Sequence, residues 1–266
     1  MSQLTLKVKA GKLESLTDNP THYCAGCEHG TLTRLIASAM NELGIREKTV
    51  MIDSVGCSVL AYNYFNCDHI IAAHGRAPAV ATGLKRVRPD LMVYTVQGDG
   101  DAASIGLLEL IYAAKRNTPI TVFMVNNAIY GMTGGQMAPT TLEGQITTTT
   151  PYGRDPALTG TELDASKLVA GLDGPAYVKR ASLVVTELST SRGKVYTIKN
   201  LLDAKKSVVN AFKVQQMGGF AFVEFLSTCS VNWKMSVLDS KRYVQEHLMK
   251  KYPLGLYKDT FGVEKQ

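Results

Sequence analysis

Apolar residues in this chain fall into short runs, separated by segments in which they recur every three or four positions. Four runs have the length of buried strands and occupy residues 49–53, 92–97, 120–126 and 219–226. Ahead of the first run, helical spacing holds from Leu32 to Leu43 and stops at Gly44. This alternation predicts an α/β fold with a mostly parallel sheet and helices on both faces.

Two later segments also have helical spacing. Ile105, Leu108, Ile111 and Tyr112 keep it ahead of Asn117. Residues 204–215 repeat the pattern, and we expect the apolar side chains of this second helix to face inward, namely Val208, Val209 and Phe212.

Two regions break the alternation. Residues 139–174 are rich in Thr, Gly and Pro and predict extended loops. From about residue 234 a C-terminal tail has some helical pattern as far as Lys251, followed by Pro253 and Gly255. We expect this tail to wrap a neighbour rather than add to the core, and residues 1–266 to form a single domain.

Size and composition fit a globular protein. The chain has 266 residues, of which 45% are hydrophobic and 20% charged. Its longest apolar runs are strand-sized, far shorter than a membrane span, and residues 1–20 are polar and lack the apolar core of a signal peptide. These features predict a cytoplasmic location.

The net charge of +6 does not indicate nucleic-acid binding. Lys and Arg are scattered, without interleaved aromatic residues or a basic arm, so we expect no nucleic-acid partner. A basic balance also suits acidic small molecules or an acidic redox partner.

The sequence Gly98-Asp99-Gly100-Asp101 directly follows a predicted strand and opens a helix. Glycines let the backbone approach a ligand, and free N–H groups at a helix N-terminus favour phosphate. Because Asp99 would repel phosphate, the motif implies a bridging Mg²⁺. An ordinary tight turn is the alternative.

Asn126-Asn127 ends the next predicted strand. Twenty-five residues separate Gly100 from Asn126, enough for one helix and one strand. Parallel strands joined by a crossover helix end at the same sheet edge, so Asp99 and Asn127 can reach one cation. A strand-end Asn that caps a turn is the alternative.

The five cysteines point to metal or redox chemistry, since an odd number in a cytoplasmic chain disfavours a disulfide framework. Cys24 and Cys27 form a C-x-x-C ahead of the first helix, while Cys57 and Cys229 each follow a strand at the ligand-binding edge. Four such thiolates fit a [4Fe–4S] cluster, with zinc as the rival from spacing alone. A dithiol redox pair is a further alternative for the C-x-x-C, but it lacks a flanking Trp or Pro. Cys67 fits a buried small hydrophobic residue.

Gly-Asp-Gly followed by Asn-Asn one crossover later resembles the signature of thiamine-pyrophosphate enzymes. This resemblance implies that Asp99, Asn127 and the carbonyl of Ile129 hold Mg²⁺.

Nearly the whole chain resembles the β subunit of 2-oxoacid:ferredoxin oxidoreductases, most closely the branched-chain 2-oxoacid members. Besides the two motifs above, the resemblance rests on Tyr23-Cys-Ala-Gly-Cys-Glu-His-Gly30, Val55-Gly-Cys-Ser58, Ala73-His-Gly-Arg-Ala-Pro78, the run from Asn126 to Gln136, and Leu226-Ser-Thr-Cys229. The sequence departs from this pattern at Glu28, where relatives often have Gly.

The resemblance implies roles for named residues. Cys24, Cys27, Cys57 and Cys229 would hold the [4Fe–4S] cluster, and His74 and Arg76 would lie beside the cofactor as catalytic residues. The alternative for this last pair is that His74 caps a helix and Arg76 makes a surface ion pair. The thiamine pyrophosphate contacts would also include Ser58, His74, Gly75, Gly98, Asp99, Gly100, Asp101, Asn127, Ile129, Tyr130 and Gly131.

The implied activity is the coenzyme A-dependent oxidative decarboxylation of a 2-oxoacid to acyl-CoA and CO₂, with electrons passing through the cluster to ferredoxin. The activating Glu of the family comes from a different domain, so an α subunit would complete the site. A γ subunit and a ferredoxin-like δ subunit are further implied partners.

The expected pocket loops contain Leu60, Met132 and Gly134 but no Lys or Arg. This favours a branched-chain or aromatic 2-oxoacid over 2-oxoglutarate, whose second carboxylate needs a cation. A non-redox thiamine-dependent decarboxylase leaves the cysteines unexplained, and a zinc-stabilised interaction module explains only the cysteines.

Overall fold

Parallel strands dominate the fold, which the computed structural model describes at residue 11 and over residues 13–190 and 193–265. Most of the polar N-terminal segment 1–20 used above therefore lies outside the described residues. The strands are β1 (Thr49–Asp53), β2 (Asp68–Ile71), β3 (Met92–Gly98), β4 (Thr121–Asn126), β5 (Tyr177–Ser182), β6 (Thr186–Thr190), β7 (Gly193–Thr197), β8 (Ala221–Leu226) and β9 (Gly255–Asp259).

Within the described residues, seven of these strands form one sheet in the order β2-β1-β3-β4-β8-β5-β9. Its pairs are parallel except for β5 with β9 at one edge. Strands β6 and β7 form a separate antiparallel hairpin. The α-helices are α1 (His29–Leu43), α2 (Ala77–Val87), α3 (Leu107–Lys115), α4 (Pro156–Thr159), α5 (Ala165–Ala170), α6 (Lys199–Gln216), α7 (Ser230–Trp233), α8 (Val237–Tyr243) and α9 (Met249–Lys251).

Helices cover both faces of the sheet, which confirms the predicted fold class. Helices α1 and α6 pack on one face, around an aromatic cluster of Tyr94, Phe123 and Phe212 with centroid distances of 5.5–6.1 Å, in which Phe212 meets the other two rings edge to face. Helices α2, α3 and α5 pack on the other face. Each of these three aromatic side chains is fully buried, and truncating a core Phe to Ala costs about 3–5 kcal/mol.

The predicted strands and helices agree with β1, β3, β4, β8, α1, α3 and α6. Helix α1 ends at Gly44, whose φ of +62° closes the helix in the left-handed conformation that glycine favours. Helix α3 differs in one respect, because the apolar residues that predict it, such as Leu108 and Tyr112, are exposed. Its buried face consists mainly of Leu110 and two alanines, small side chains that let the helix lie close to the sheet.

The expectation for the C-terminal tail is wrong. Helix α8 continues through a π-helical turn over Val244–Leu248 into α9, and Val244, Leu248 and Tyr252 are fully buried. Strand β9 then adds an edge to the main sheet. The tail packs on its own chain because these apolar residues are spaced four apart and face a cluster under the 139–174 segment.

The segment 139–174 contains the short helices α4 and α5 in addition to loops. Its path is held by Arg154, which is buried and donates to the carbonyl oxygens of Pro139 at 3.0 Å and Thr161 at 2.9 Å. In the described part of the chain, no helix is both long enough and apolar enough to cross a bilayer.

Candidate functional site

The carboxyl ends of the central strands bring the predicted site residues together. Gly98 of β3 lies beside Val125 of β4, and Asn126 of β4 lies beside Leu226 of β8. A pocket opens at this edge, where parallel sheets bind ligands. Its walls include these predicted residues: Cys57, His74, Gly98, Asp99, Gly100, Asp101, Asn127, Ile129, Tyr130 and Gly131.

Asp99 is a buried carboxyl group on the pocket wall. Its Oδ1 accepts a hydrogen bond from the Gly100 amide at 2.9 Å, and its Oδ2 accepts one from the Thr140 hydroxyl. Burial raises the pKa of Asp99 to about 7, and these hydrogen bonds only partly oppose it. A cation at this wall would stabilise the charged form, so Asp99 fits a metal ligand.

The turn after β4 presents Asn127 and Ile129 to the same pocket. Ala128 between them has a φ of +55°, an uncommon conformation for a residue other than glycine. Asn126 stabilises it, because its side-chain oxygen accepts from the Ala128 amide at 3.1 Å while its Nδ2 donates to Glu224 at 2.7 Å. A buried network therefore sets the direction of both predicted metal ligands.

Gly100 lies directly beneath the ring of Tyr130. A Cβ atom at this position would come within 2.2 Å of the ring, and the Tyr130 hydroxyl donates to the Gly100 carbonyl at 3.2 Å. Only glycine leaves room for this packing. Gly100 thus lets the Tyr130 ring pack at the pocket wall, and both residues line the pocket as predicted.

Asp101 is occupied by donors from the protein itself. Ser54 donates to it at 2.5 Å and the Gly75 amide at 2.7 Å, and the Gln97 amide group and His74 Nδ1 also contact it. Asp101 therefore positions the loop that carries His74, and His74 itself reaches the pocket wall.

Gly75 and Gly106 explain how this loop approaches so closely. A Cβ on Gly75 would lie 2.7 Å from the Gly106 amide, and one on Gly106 would lie 2.5 Å from the Gly75 carbonyl. The helix begins here with a π-helical turn over Asp101–Ile105, a feature that often marks functional sites.

Arg76 points elsewhere. Its guanidinium forms an ion pair with Glu109 on α3, its side chain is half-exposed, and it does not line the pocket. The structure thus separates Arg76 from His74 and matches the surface ion-pair alternative.

The predicted cysteine ligands lie at the other side of the pocket. A Cβ on Gly131 would lie 3.5 Å from Cys57 Sγ and 3.6 Å from Cys229 Sγ, which is van der Waals contact, so the Gly131 backbone lies next to both sulfurs. Burial raises the pKa of Cys27 to about 12 and that of Cys57 to about 11, and neighbouring cysteines add to both shifts. Cys27 interacts electrostatically with Cys24, Cys57 and Cys229, so the four thiols share one neighbourhood, and a metal centre would stabilise their ionised forms.

Hydrogen bonds reach two of these sulfurs. His29 Nδ1 lies 3.1 Å from Cys27 Sγ, and its Nε2 lies 3.4 Å from the hydroxyl of the buried Ser58. Burial lowers the pKa of His29 to about 4, so the ring is neutral near pH 7. In the tautomer that carries its proton on Nδ1, the ring donates to the Cys27 sulfur and accepts from Ser58 at Nε2. Asn232 Nδ2 lies 3.2 Å from Cys229 Sγ.

Residues 228–241, around helices α7 and α8, hold the loop that carries Cys24 and Cys27. Thr228 donates to the Gly26 carbonyl at 2.6 Å and Ser230 to the Ala25 carbonyl at 3.1 Å. Glu28, the departure from the family pattern, pairs with Lys241 of α8 at 3.1 Å. Glu28 therefore has a structural contact in this chain.

Among the described residues, no three or more His, Cys, Asp or Glu side chains are grouped tightly enough to hold a single metal ion. Zinc binds sulfur at about 2.3 Å and needs its ligands close together, whereas an iron–sulfur cluster spans several atoms and spreads its thiolates. Cys67 lies apart from the other four, against the core and 3.8 Å from His69 Nε2.

The sequence motifs assign no role to Thr140, His29 or Asn232. Asn232 has the local signal Cys-x-x-Asn, and His29 follows Cys27 within the quoted motif. Thr140 carries no such signal, because only the folded loop brings it to Asp99.

Comparison with known proteins gives three findings. A family model for the C-terminal binding domain of thiamine pyrophosphate enzymes matches residues 54–224. Ketoisovalerate oxidoreductase subunit VorA of Methanothermobacter thermautotrophicus is 47% identical over 240 residues, which cover 90% of this chain and 48% of the relative. This chain thus spans about half the length of that relative. 2-Oxoglutarate synthase subunit KorB of Archaeoglobus fulgidus is 34% identical over 89% of this chain and 80% of its own.

A solved structure also resembles this chain. It is the 2-oxoglutarate:ferredoxin oxidoreductase from Magnetococcus marinus with 2-oxoglutarate, coenzyme A and succinyl-CoA bound, and it matches with a TM-score of 0.71 and 27% identity. The match covers 93% of this chain and 84% of the other.

Proposed function

Because this chain belongs to the thiamine pyrophosphate-binding subunits of the 2-oxoacid:ferredoxin oxidoreductase family, we propose that it works in the coenzyme A-dependent oxidative decarboxylation of a branched-chain 2-oxoacid. The observation that carries this proposal is the meeting of two sites at one sheet edge. Asp99 and Asn127 line one side of the pocket, and Cys57 and Cys229 lie behind Gly131 at the other.

Thiamine pyrophosphate, when bound, supplies an ylid that adds to the ketone carbon and then accepts the electrons left by CO₂. Asp99, Asn127 and the Ile129 carbonyl would hold Mg²⁺ on its diphosphate. The Gly98-Asp99-Gly100 turn brings backbone N–H groups to the same place. His74, whose Nδ1 is fixed on Asp101, presents its other ring nitrogen as a donor or acceptor in the pocket.

Cys24, Cys27, Cys57 and Cys229 would hold a [4Fe–4S] cluster that takes electrons one at a time. The donor set is all sulfur, which suits iron–sulfur clusters, and the hydrogen bonds to Cys27 and Cys229 favour ionised thiolates. A non-redox thiamine-dependent enzyme would have no use for these four thiols beside its cofactor pocket.

The proposed substrate class follows from the described residues at the pocket. Val55 and Met132 line it and are exposed by 37% and 48%, and no Lys or Arg lines it. An apolar wall without a cation suits a branched-chain side chain and leaves a distal carboxylate unpaired. We test this with the purified complex, and a kcat/KM far higher for 2-oxoglutarate than for 2-oxoisovalerate would overturn it.

The proposal includes partner chains. No glutamate is present among the described residues that line the pocket, so the cofactor-activating Glu would come from an α subunit. We further propose γ and ferredoxin-like δ subunits, ferredoxin as electron acceptor, and coenzyme A as acyl acceptor. A cytoplasmic location belongs to the proposal, since the five cysteines are free thiols and reduced thiols are typical of that compartment.

The decisive experiment measures iron, acid-labile sulfide, thiamine pyrophosphate and magnesium in the anaerobically purified complex. We expect one thiamine pyrophosphate per chain and about four iron and four sulfide attributable to this chain. Cys229→Ser should lose that iron and sulfide. Cys67→Ser is the matched control and should retain them, because Cys67 lies apart from the other four.

Two results would contradict the proposal. Thiamine pyrophosphate without iron would indicate a non-redox decarboxylase. Zinc without either would indicate a structural metal site.

A further inference from the structure

Asn232 is the last residue but one of the short helix α7, three positions after Cys229. Its Nδ2 donates to Cys229 Sγ at 3.2 Å and to the Gly131 carbonyl at 2.8 Å. Both neighbours are acceptors, so the amide group must point its nitrogen, and not its oxygen, toward them. One side chain thus joins a predicted cluster ligand to the loop that ends the cofactor site.

The surrounding backbone is shaped for this side chain. Gly135 has a φ of +86°, and a Cβ there would lie 3.1 Å from the Asn232 side-chain oxygen. The Gly135 amide donates to the Tyr130 carbonyl at 2.9 Å. The 130–135 loop therefore closes around Asn232, and Gly131 within it lies next to the Cys57 and Cys229 sulfurs.

A hydrogen bond to a ligand sulfur acts on the redox equilibrium of a cluster. The reduced cluster carries one more negative charge than the oxidised one, so an N–H donor stabilises it more. Hydrogen bonds to sulfurs are among the features that set cluster potentials. Both Nδ2 protons are engaged, which fixes the direction of the one that faces Cys229.

We propose that Asn232 is a positioning residue that raises the reduction potential of the cluster through Cys229 while it holds the Gly131 loop of the cofactor site. This inference rests on the proposed function. Asn232 would thereby connect the cofactor site, where electrons are released, to Cys229 of the cluster that receives them.

The test uses the anaerobically purified complex with Asn232→Leu and Asn232→Asp. Leu removes the donor with little change in volume, and Asp replaces it with a negative charge of the same shape. Asn200→Leu is the matched control, because Asn200 also bridges two acceptors, Thr186 Oγ1 at 2.6 Å and the Val184 carbonyl at 3.3 Å, but contacts no cysteine. The readout is the midpoint potential of the cluster, measured by redox titration with electron paramagnetic resonance.

We expect the potential to fall in the order wild type, Asn232→Leu, Asn232→Asp, with iron content unchanged. The first step should change the reduction equilibrium about tenfold, equivalent to 59 mV for a one-electron couple. The Asn200→Leu complex should match the wild type.

Each other outcome has a distinct meaning. Iron retained with potentials equal to the Asn200→Leu control would overturn the inference. Loss of iron from both variants at position 232 would also overturn it, since Asn232 would then serve ligation and not the potential. A wild-type complex without iron would refute the proposed function itself.

Discussion

The buried ion pair between Arg180 and Glu224 gives the sharpest prediction of stability. Both side chains are completely buried, and Arg180 Nε donates to Glu224 Oε2 at 2.8 Å. Glu224 also accepts from Ser166 at 2.5 Å and from Asn126 at 2.7 Å, and Arg180 contacts Asp164. The pair therefore connects strands β5 and β8 to the turn that presents Asn127.

The perturbation is Glu224→Gln, which keeps the shape and removes the charge. Losing one partner of a buried pair costs about 3–5 kcal/mol, because the other charge stays buried. Asp164 still contacts Arg180, so we expect the lower end, about 3 kcal/mol. For a chain of this size 1 kcal/mol shifts Tm by about 2–4 °C, so Tm should fall by about 6–12 °C.

The assay is thermal denaturation of the anaerobically purified complex, followed by circular dichroism. Asp90→Asn is the matched control, since it makes the same acid-to-amide change in an exposed pair, where Asp90 lies 2.7 Å from Arg88. Exposed pairs contribute little to stability because solvent screens them, so this variant should melt close to the wild-type temperature. Equal shifts for the two variants would refute the argument from burial.

Three further predictions concern the pocket, pH and substrate. Gly100→Ala places a Cβ 2.2 Å from the overlying Tyr130 ring. In calorimetric titration it should weaken thiamine pyrophosphate binding at least about tenfold, about 1.4 kcal/mol. The control Gly83→Ala has nothing within 4 Å of its Cβ and should bind the cofactor normally. Burial opposes the charged form of His69, but the hydrogen bonds and charge interactions with Asp53 and Cys67 together outweigh burial and raise the pKa from 6.5 to about 10. The stabilisation by the charged His69–Asp53 pair is therefore complete below pH 6.5 and is lost as pH rises through 10. His69→Gln should lower Tm most near pH 6 and lose this effect above pH 10. A Tm difference that does not change with pH would contradict this. Met132→Arg adds a cation at the pocket. In steady-state assays it should raise the kcat/KM for 2-oxoglutarate relative to that for 2-oxoisovalerate at least about tenfold, about 1.4 kcal/mol. An unchanged ratio would place substrate choice in a partner subunit.

The central strands could be predicted because their side chains are almost all apolar. The hydrophobic pattern does not predict strand β5 (Tyr177–Ser182), because Lys179 and Arg180 interrupt its apolar residues. Both side chains are buried, and their acidic partners lie far along the chain, as with Glu224 and Glu264. A single charged residue in a strand carries no sign of the partner that will neutralise it.

The convergence of the site residues could be predicted because parallel crossovers deliver every strand end to the same edge. The side-chain roles within that edge could not. Asp101 belongs to the Gly-Asp-Gly-Asp motif, yet only the structure shows that four protein donors occupy it. Arg76 shares a motif with His74 but turns toward Glu109 of helix α3.

The attachment of the Cys24–Cys27 loop to residues 228–241 also sets an order of events during protein synthesis. Roughly 200 residues separate the loop from its partners, and at about 5–20 residues per second the ribosome needs about 10–40 s to make them. Throughout that time the Gly26 and Ala25 carbonyls lack the Thr228 and Ser230 hydroxyls that hold them. Iron delivery to the proposed cluster would therefore meet a complete loop only after residues 228–241 have been made.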